Sequence, residues 1–287
     1  MSESAQTFRG SLAAVWRYPV KSMMGEELNA ADVIERGIVG DRAYALVDSA
    51  DGKVASAKNP RKWPTLFDFR AALADGPGTD TTMRPVRITL PDGTRVSSEQ
   101  PDIDQILSAV LKRPVTLDAA ARVRREGARS ESQALASTAE EYWPDIEGLD
   151  HRDTVTDFGL PQGTFFDSAL VHVLTTATLD RLRALYPEGR FEVRRFRPNM
   201  VVQTANGGPA FVENEWIGHT LAIGDAVRLS ITGPCPRCVM TTLAQGDLPR
   251  DVGILRTAAQ HNHANVGVYA SVLQGGKVRR GDSVRLE

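Results

Sequence analysis

The chain has 287 residues, of which 41% are apolar and 24% charged, and its formal net charge is −2. That size allows one large domain or two smaller ones around a substantial core. A near-neutral chain without a basic run argues against a nucleic-acid partner, and the presence of only two cysteines excludes a disulfide scaffold.

The first ten residues are polar and lack the apolar core of a secretory signal, and no apolar stretch is long enough to span a bilayer. The expectation is therefore a cytoplasmic protein with no membrane partner. Residues 12–20 read as a strand. Residues 43–47 and 53–57 flank Asp51-Gly52, and residues 86–90 and 94–97 flank Asp92-Gly93, both strong hairpin signals. Ile103, Ile106, Leu107, Val110 and Leu111 recur at helical spacing, with Pro101 before them and Pro114 beyond. Residues 119–148 are rich in Ala, Arg, Glu and Ser with weak periodicity, and read as a connecting loop or insertion. Leu179, Leu182, Leu185 and Tyr186 predict a second helix, with Thr175, Thr176 or Thr178 as its cap. Ile254, Leu255, Ala258 and Ala259 predict a short third one. Residues 266–273 and 277–280 flank Gly275-Gly276 as a last hairpin. The segments 223–229 and 280–286 echo one another, each entering a strand through Gly-Asp. Many hairpins and few helices predict an α+β protein of mostly antiparallel, barrel-like sheets.

The chemistry concentrates where cations sit beside Pro or Gly turns. Tyr18-Pro19-Val20-Lys21-Ser22 puts a cation and a hydroxyl at a stiffened strand end, and Gly40-Asp41-Arg42 places an arginine after a turn. No Gly-rich loop precedes Lys21-Ser22, which excludes a P-loop. Phe196-Arg197-Pro198-Asn199 aims two polar side chains from one rigid entrance. Cys235-Pro236-Arg237-Cys238 holds both cysteines. A zinc site would need about four ligands, and His261 and His263 stand one residue apart where zinc spacing asks for three to five. A redox dithiol wants a helix start, whereas residues 239–243 read as a strand. His261, His263 and Asp247 read as surface residues. Lys21, Arg42, Arg197 and Arg237 together with one thiolate suit an anionic, phosphate-bearing cofactor whose reactive end needs a soft ligand.

These stretches, with Leu255-Arg256-Thr257 and Gly267-Val268-Tyr269-Ala270, resemble the MOSC superfamily over nearly the whole chain. The likeness is to the branch with an N-terminal β-barrel domain that includes the mitochondrial amidoxime-reducing component. The resemblance implies an N-terminal barrel over 8–118, a connection over 119–148 and a MOSC domain over 149–287. It implies a molybdenum–molybdopterin cofactor with Cys238 as the metal ligand and Cys235 as a structural or accessory residue. Lys21, Ser22, Arg42, Arg197, Asn199, Pro236 and Arg237 would hold pterin and phosphate, with Tyr269 nearby. Thr175, Thr176 and Ala177 would offer a helix N-terminus to the cofactor. Arg237 would also restrain the catalytic loop. The implied reaction is reduction of small N-hydroxylated substrates, amidoximes or hydroxylamines, fed by a separate electron-donor protein because no further cysteines follow Cys238. A persulfide carrier using Cys238 and a cofactor-delivery module are the alternatives. On this reading Cys238 is indispensable and Cys235 is not.

Overall fold

In the computed structural model of the protein, residues 8–74, 84–120, 138–145, 153–161, 164–204 and 209–287 are described. Alternation of apolar residues builds the largest sheet. Val171 and Val173, Met200 and Val202, Leu221 and Ile223, and Val227, Leu229 and Ile231 all turn to one core. The strands run in the order Met200–Thr204, Val171–Thr175, Asn265–Gln274, Val227–Pro236, Thr220–Ile223, Ser283–Leu286 and Arg9–Arg17. Arg9–Arg17 then pairs with Met200–Thr204 again, so the sheet closes into a barrel, with Glu26–Leu28 appended as an eighth strand. Neighbours around the ring are antiparallel except Val171–Thr175 with Met200–Thr204. That parallel pair requires a crossover, and the helix Thr176–Leu185 lies within it.

The residues between the inward ones carry the helices. Leu174 and Val266 face away from the barrel core and pack with Leu179 and Leu182 of Thr176–Leu185 and with Ile254 and Ala258 of the helix Gly253–Asn262. A short helix that periodicity did not foresee, Val193–Phe196, ends where Arg197 takes a left-handed conformation, φ 52°.

A second core belongs to the N-terminal half. The strand Tyr44–Asp48 pairs with Val115–Ala119, and Arg70–Leu73, Val86–Thr89 and Arg95–Ser97 form a three-stranded sheet. Trp63, Leu66, Phe67, Phe69 and Ile88 fill its interior, and the helix Ile103–Leu111 covers it with Ile103 and Leu107. Met240, from the far half of the sequence, is buried in this same core, and Cys238 packs against it. The two halves are interleaved at the other end as well. Arg9–Arg17 is a barrel strand, and Ala30–Ile34 pairs with Gly276–Arg279.

Three local expectations need correction. Gly275-Gly276 does not turn a hairpin, since Gly276–Arg279 pairs with Ala30–Ile34 instead of with Asn265–Gln274. The glycine is needed for close approach, because a Cβ on Gly275 would lie 2.6 Å from the Val33 carbonyl oxygen. Residues 239–243 are not a strand. Val239–Thr242 is a 3-10 helix, and the Thr241 and Thr242 hydroxyls donate to the carbonyls of Cys238 and Val239, a local pairing that competes with a ladder. The segment 119–148 is not all loop, for Thr138–Trp143 pairs with Thr154–Gly159. Residues 121–137 and 146–148 of that segment lie outside the described residues.

Candidate functional site

The two halves meet at a cleft with a volume of about 240 Å3. Lys21, Ser22, Arg42, Arg197, Asn199, Pro236, Arg237, Cys238 and Tyr269 all line it. Residues scattered over some 250 positions of sequence are thus gathered around Cys238. Five cations and two carboxylates, Glu141 and Asp167, line the cleft, so its walls favour an anion.

Backbone strain marks the same place. Ser22, Arg42 and Arg197 are non-glycine residues with φ of 64°, 45° and 52°. Left-handed backbone costs an L-residue roughly 1–2 kcal/mol, a cost that tends to collect at functional sites. Here it aims three side chains at one cavity.

Asp41 holds this geometry. Its carboxylate accepts the Tyr18 amide at 2.7 Å and the Asn199 side-chain amide at 2.9 Å, and it ion-pairs with Arg42. Asn199 in turn accepts the His172 amide at 3.1 Å. The Tyr18 ring is a pedestal for two guanidinium groups, with Arg197 4.2 Å and Arg42 4.6 Å from its centroid. Arg197 donates to the Met23 carbonyl at 2.6 Å. Burial, with Arg42 close by, draws Arg197 down to about 10. The Tyr18 hydroxyl is buried without a partner among the described residues.

Lys21 is buried and donates to the Phe165 carbonyl at 3.0 Å and to Asp167. Lys58 is the second cation on Asp167, at 3.6 Å, and pairs with Glu141 at 3.2 Å. Burial pulls Lys21 down, opposed by Asp167. Burial raises Asp167, but Lys21 and Lys58 outweigh it and hold the carboxyl below the ordinary carboxylate range. Ser22 is already engaged, its hydroxyl accepting the Ala57 amide at 3.0 Å.

The two cysteines differ sharply. Cys235 is fully buried, whereas Cys238 retains some solvent contact. Burial nonetheless pushes the Cys238 thiol up to about 11; Glu141 adds to this, and Lys58 and Arg237 partly offset it. Burial also disfavours the Cys235 thiolate, but Arg237, His172 and Tyr269 overcome it and bring that thiol down to about 6. Arg237 Nη1 donates to Cys235 Sγ at 2.8 Å and Nη2 to the Phe196 carbonyl at 2.9 Å, while Nε is buried and has no partner among the described residues.

The structure does not bring Thr175, Thr176 and Ala177 to the cleft. Thr175 and Thr178 both donate their hydroxyls to the buried Glu213 carboxyl, at 2.7 and 2.8 Å, so these hydroxyls are already engaged away from the cleft. Asp247 bridges Arg190 and Arg194 at the surface, and His261 and His263 are exposed. Sequence reasoning missed Asp41 as an organising residue, although it stands inside a motif singled out for Arg42. It also missed Lys58, Glu141, Trp143, Asp167 and His172, which no local motif marks.

Among the described residues no group of three or more His, Cys, Asp or Glu side chains is placed to share a metal ion. A soft metal at Cys238 would therefore take its remaining ligands from outside the protein. The donor set fits an anionic metal-bearing cofactor: one accessible sulfur, excess positive charge, and an orphaned Arg237 Nε and Tyr18 hydroxyl.

Residues 9–128 match the family model of the MOSC N-terminal beta barrel domain, and residues 161–285 match that of the MOSC domain. Mitochondrial amidoxime reducing component 2 of Rattus norvegicus is 23% identical over 248 residues, and the Homo sapiens protein of that name is 24% identical over 241. In both cases the match covers 82% of this chain and 67% of the relative. The solved structure of the YUAD protein from Bacillus subtilis aligns over 98% of this chain and 97% of its own, at 11% identity and a TM-score of 0.47. YiiM from Escherichia coli aligns over 42% of this chain and 55% of its own, at 15% identity and a TM-score of 0.31. Among the described residues no helix is long and apolar enough to cross a membrane.

Proposed function

Because the chain belongs to the MOSC superfamily and carries that superfamily's N-terminal β-barrel domain, we propose that it is a molybdenum-cofactor-dependent reductase of N-hydroxylated compounds such as amidoximes and hydroxylamines. Its distant similarity to amidoxime reducing components supports this choice of reaction. The observation that carries the reading is the convergence of Cys238 with five cations in one cleft. Cys238 would ligate the metal, and Lys21, Arg42, Arg197 and Arg237 would hold the anionic pterin and its phosphate. When bound, that group supplies the two-electron chemistry that removes oxygen from nitrogen as water.

The protein's own part is positional and electrostatic. Asp41 and Tyr18 orient Arg42 and Arg197 before any ligand arrives, so little ordering remains to be done on binding. Asp167 stays ionised between Lys21 and Lys58, and so acts as an acceptor that spaces two cations. Cys238, protonated at neutral pH, must release its proton as the metal takes its place, and Lys58 and Arg237 favour that ionised sulfur. Trp143 and Phe166 line the same cleft and would give an organic substrate an apolar wall. Cys238 is the one cysteine lining the cleft, so the site itself offers no set of thiolates for an iron–sulfur cluster. We infer that electrons come from a separate donor protein.

A persulfide carrier would need a nucleophilic Cys238 thiolate, and a thiol held up at about 11 counts against it. The test is purification of the protein from a host that makes the cofactor, with molybdenum and pterin measured in wild type and Cys238→Ala. The expected result is molybdenum in the wild type, loss of metal in the variant, and benzamidoxime reduction by the wild type with a chemical reductant. Equal metal in both proteins rules out the ligand assignment. A metal-loaded wild type that cannot turn over benzamidoxime rules out the substrate class.

A further inference from the structure

Cys235 has no role in the reading above, yet it has the densest polar surroundings of the two cysteines. Its sulfur is fully buried in the barrel strand Val227–Pro236. Arg237 Nη1 lies 2.8 Å away, and His172 and Tyr269 are close enough to favour its ionised form. Arginine can only donate, and a thiol is a weak acceptor with one weak donor of its own. A guanidinium donor so close to a buried sulfur matches an anion, because charge-assisted bonds are the short ones. The surroundings are fixed from behind. His172 Nε2 pairs with the Val266 carbonyl at 3.0 Å, and Gly267, at φ 82°, leaves no space for a Cβ, which would lie 2.4 Å from that nitrogen.

The guanidinium gains from the same pairing. Arg237 Nη2 is held by the Phe196 carbonyl and its main-chain amide by the Ala264 carbonyl. Arg237 is half-buried, and on its shielded side neither carbonyl carries a counter-charge for the guanidinium. No carboxylate pairs with it among the described residues. Among the described residues, Cys235 is the one ionisable acid hydrogen-bonded to it.

We propose that Cys235 is a positioning residue whose buried sulfur is the anionic counter-group of Arg237, fixing the guanidinium by its terminal nitrogens and leaving Nε as the nitrogen with an unfilled hydrogen bond at the cleft. The proposal reverses the expectation that Cys235 is dispensable. The groups facing this sulfur are Arg237, His172 and Tyr269. Tyr269 is raised by burial and by the Cys235 charge, so it keeps its proton and remains a donor.

The chain has only two cysteines, which makes a direct test possible. In Cys238→Ala every thiolate signal comes from Cys235. The thiolate ultraviolet absorbance of that protein should titrate with a midpoint near 6, well under the ordinary thiol value of 9.0. Adding Arg237→Gln should move the midpoint above 9.0, while Arg237→Lys, which keeps the charge, should leave it below. Circular dichroism confirms that each variant is folded, and the Lys variant separates loss of charge from loss of packing. A midpoint at or above 9.0 with Arg237 in place overturns the proposal, as does a low midpoint unmoved by Arg237→Gln. On the reductase reading, the metal content of the holoprotein should also fall severalfold through the same midpoint as pH is lowered, and this step should be absent in Cys235→Ser. A wild type without molybdenum sinks that reading alone, because the titration needs no cofactor.

Discussion

Replacing Asp41 with alanine should unlock the cleft from behind. The Asp41 carboxylate is completely shielded and serves three donors: the Tyr18 amide, the Asn199 side chain and the Arg42 guanidinium. Arg42 retains some solvent contact and can recover by turning to water, whereas the Tyr18 and Asn199 donors cannot. Two stranded donors at about 1–3 kcal/mol each give a loss of roughly 2–6 kcal/mol, a range that brackets the cost of breaking a buried charged pair, about 3–5 kcal/mol. At about 2–4 °C per kcal/mol for chains near this size, the melting temperature should fall by roughly 10 °C. Urea unfolding followed by tryptophan fluorescence and by circular dichroism measures this, with an unchanged m-value locating the effect in the native state. Asn199→Ala should cost less than Asp41→Ala, and the double variant should fall short of the sum by about 1 kcal/mol or more, because the two share one bond. A loss under about 1 kcal/mol for Asp41→Ala, or strict additivity with Asn199→Ala, would refute the idea that one carboxylate organises both strand entrances.

Tyr18→Phe keeps the ring face beneath Arg42 and Arg197 and removes only an unpartnered hydroxyl, so stability should hold within about 0.5 kcal/mol. Tyr18→Leu forfeits two cation–π contacts of about 0.5–2 kcal/mol each and should lower molybdenum content as well as melting temperature; equal effects from Phe and Leu would contradict the pedestal. Burial raises Glu213 above its ordinary value of 4.5, with Thr175 and Thr178 pulling the other way. The folded protein therefore holds this proton more tightly than the unfolded chain does. That contribution is complete below about pH 4.5 and is lost as pH rises through the folded value. Glu213→Gln should remove this slope, so its stability relative to wild type should increase from pH 4.5 to pH 8 in urea titrations. A difference that stays flat with pH would show that Glu213 is not the titrating group.

Local physics was legible in the sequence where it acts locally. The i, i+3, i+4 spacing of Ile103, Ile106 and Leu107 gave the helix Ile103–Leu111, and Asp92-Gly93 gave the turn between Val86–Thr89 and Arg95–Ser97. Cations beside proline or glycine marked the cleft because stiff or left-handed backbone aims a side chain reproducibly, as φ at Arg42 and Arg197 shows. What stayed hidden depends on separation along the chain. Lys21 meets Asp167 across 146 positions, and nothing beside Phe165-Phe166 announces a carboxylate partner. Thr175 offered the expected cap, but the carboxyl that its side chain meets is Glu213, 38 residues away, and no spacing rule connects them. Val239–Thr242 was misjudged because its β-branched composition favours strands, while two threonine hydroxyls closing on nearby carbonyls decide for a turn.

The closure of the barrel has a bearing on how this protein is made. Arg9–Arg17 is made some 270 residues before one of its flanking strands, Ser283–Leu286, with Arg9 opposite Arg285. The ring cannot seal until Ser283–Leu286 has been made, so the earlier strand must wait with one edge unpaired, an aggregation hazard for the nascent chain. A fragment cut to the MOSC match alone, 161–285, would lack that strand and leave both Met200–Thr204 and Ser283–Leu286 open. Expression trials with such a fragment would report on an unclosed barrel and not on the reactivity of Cys238.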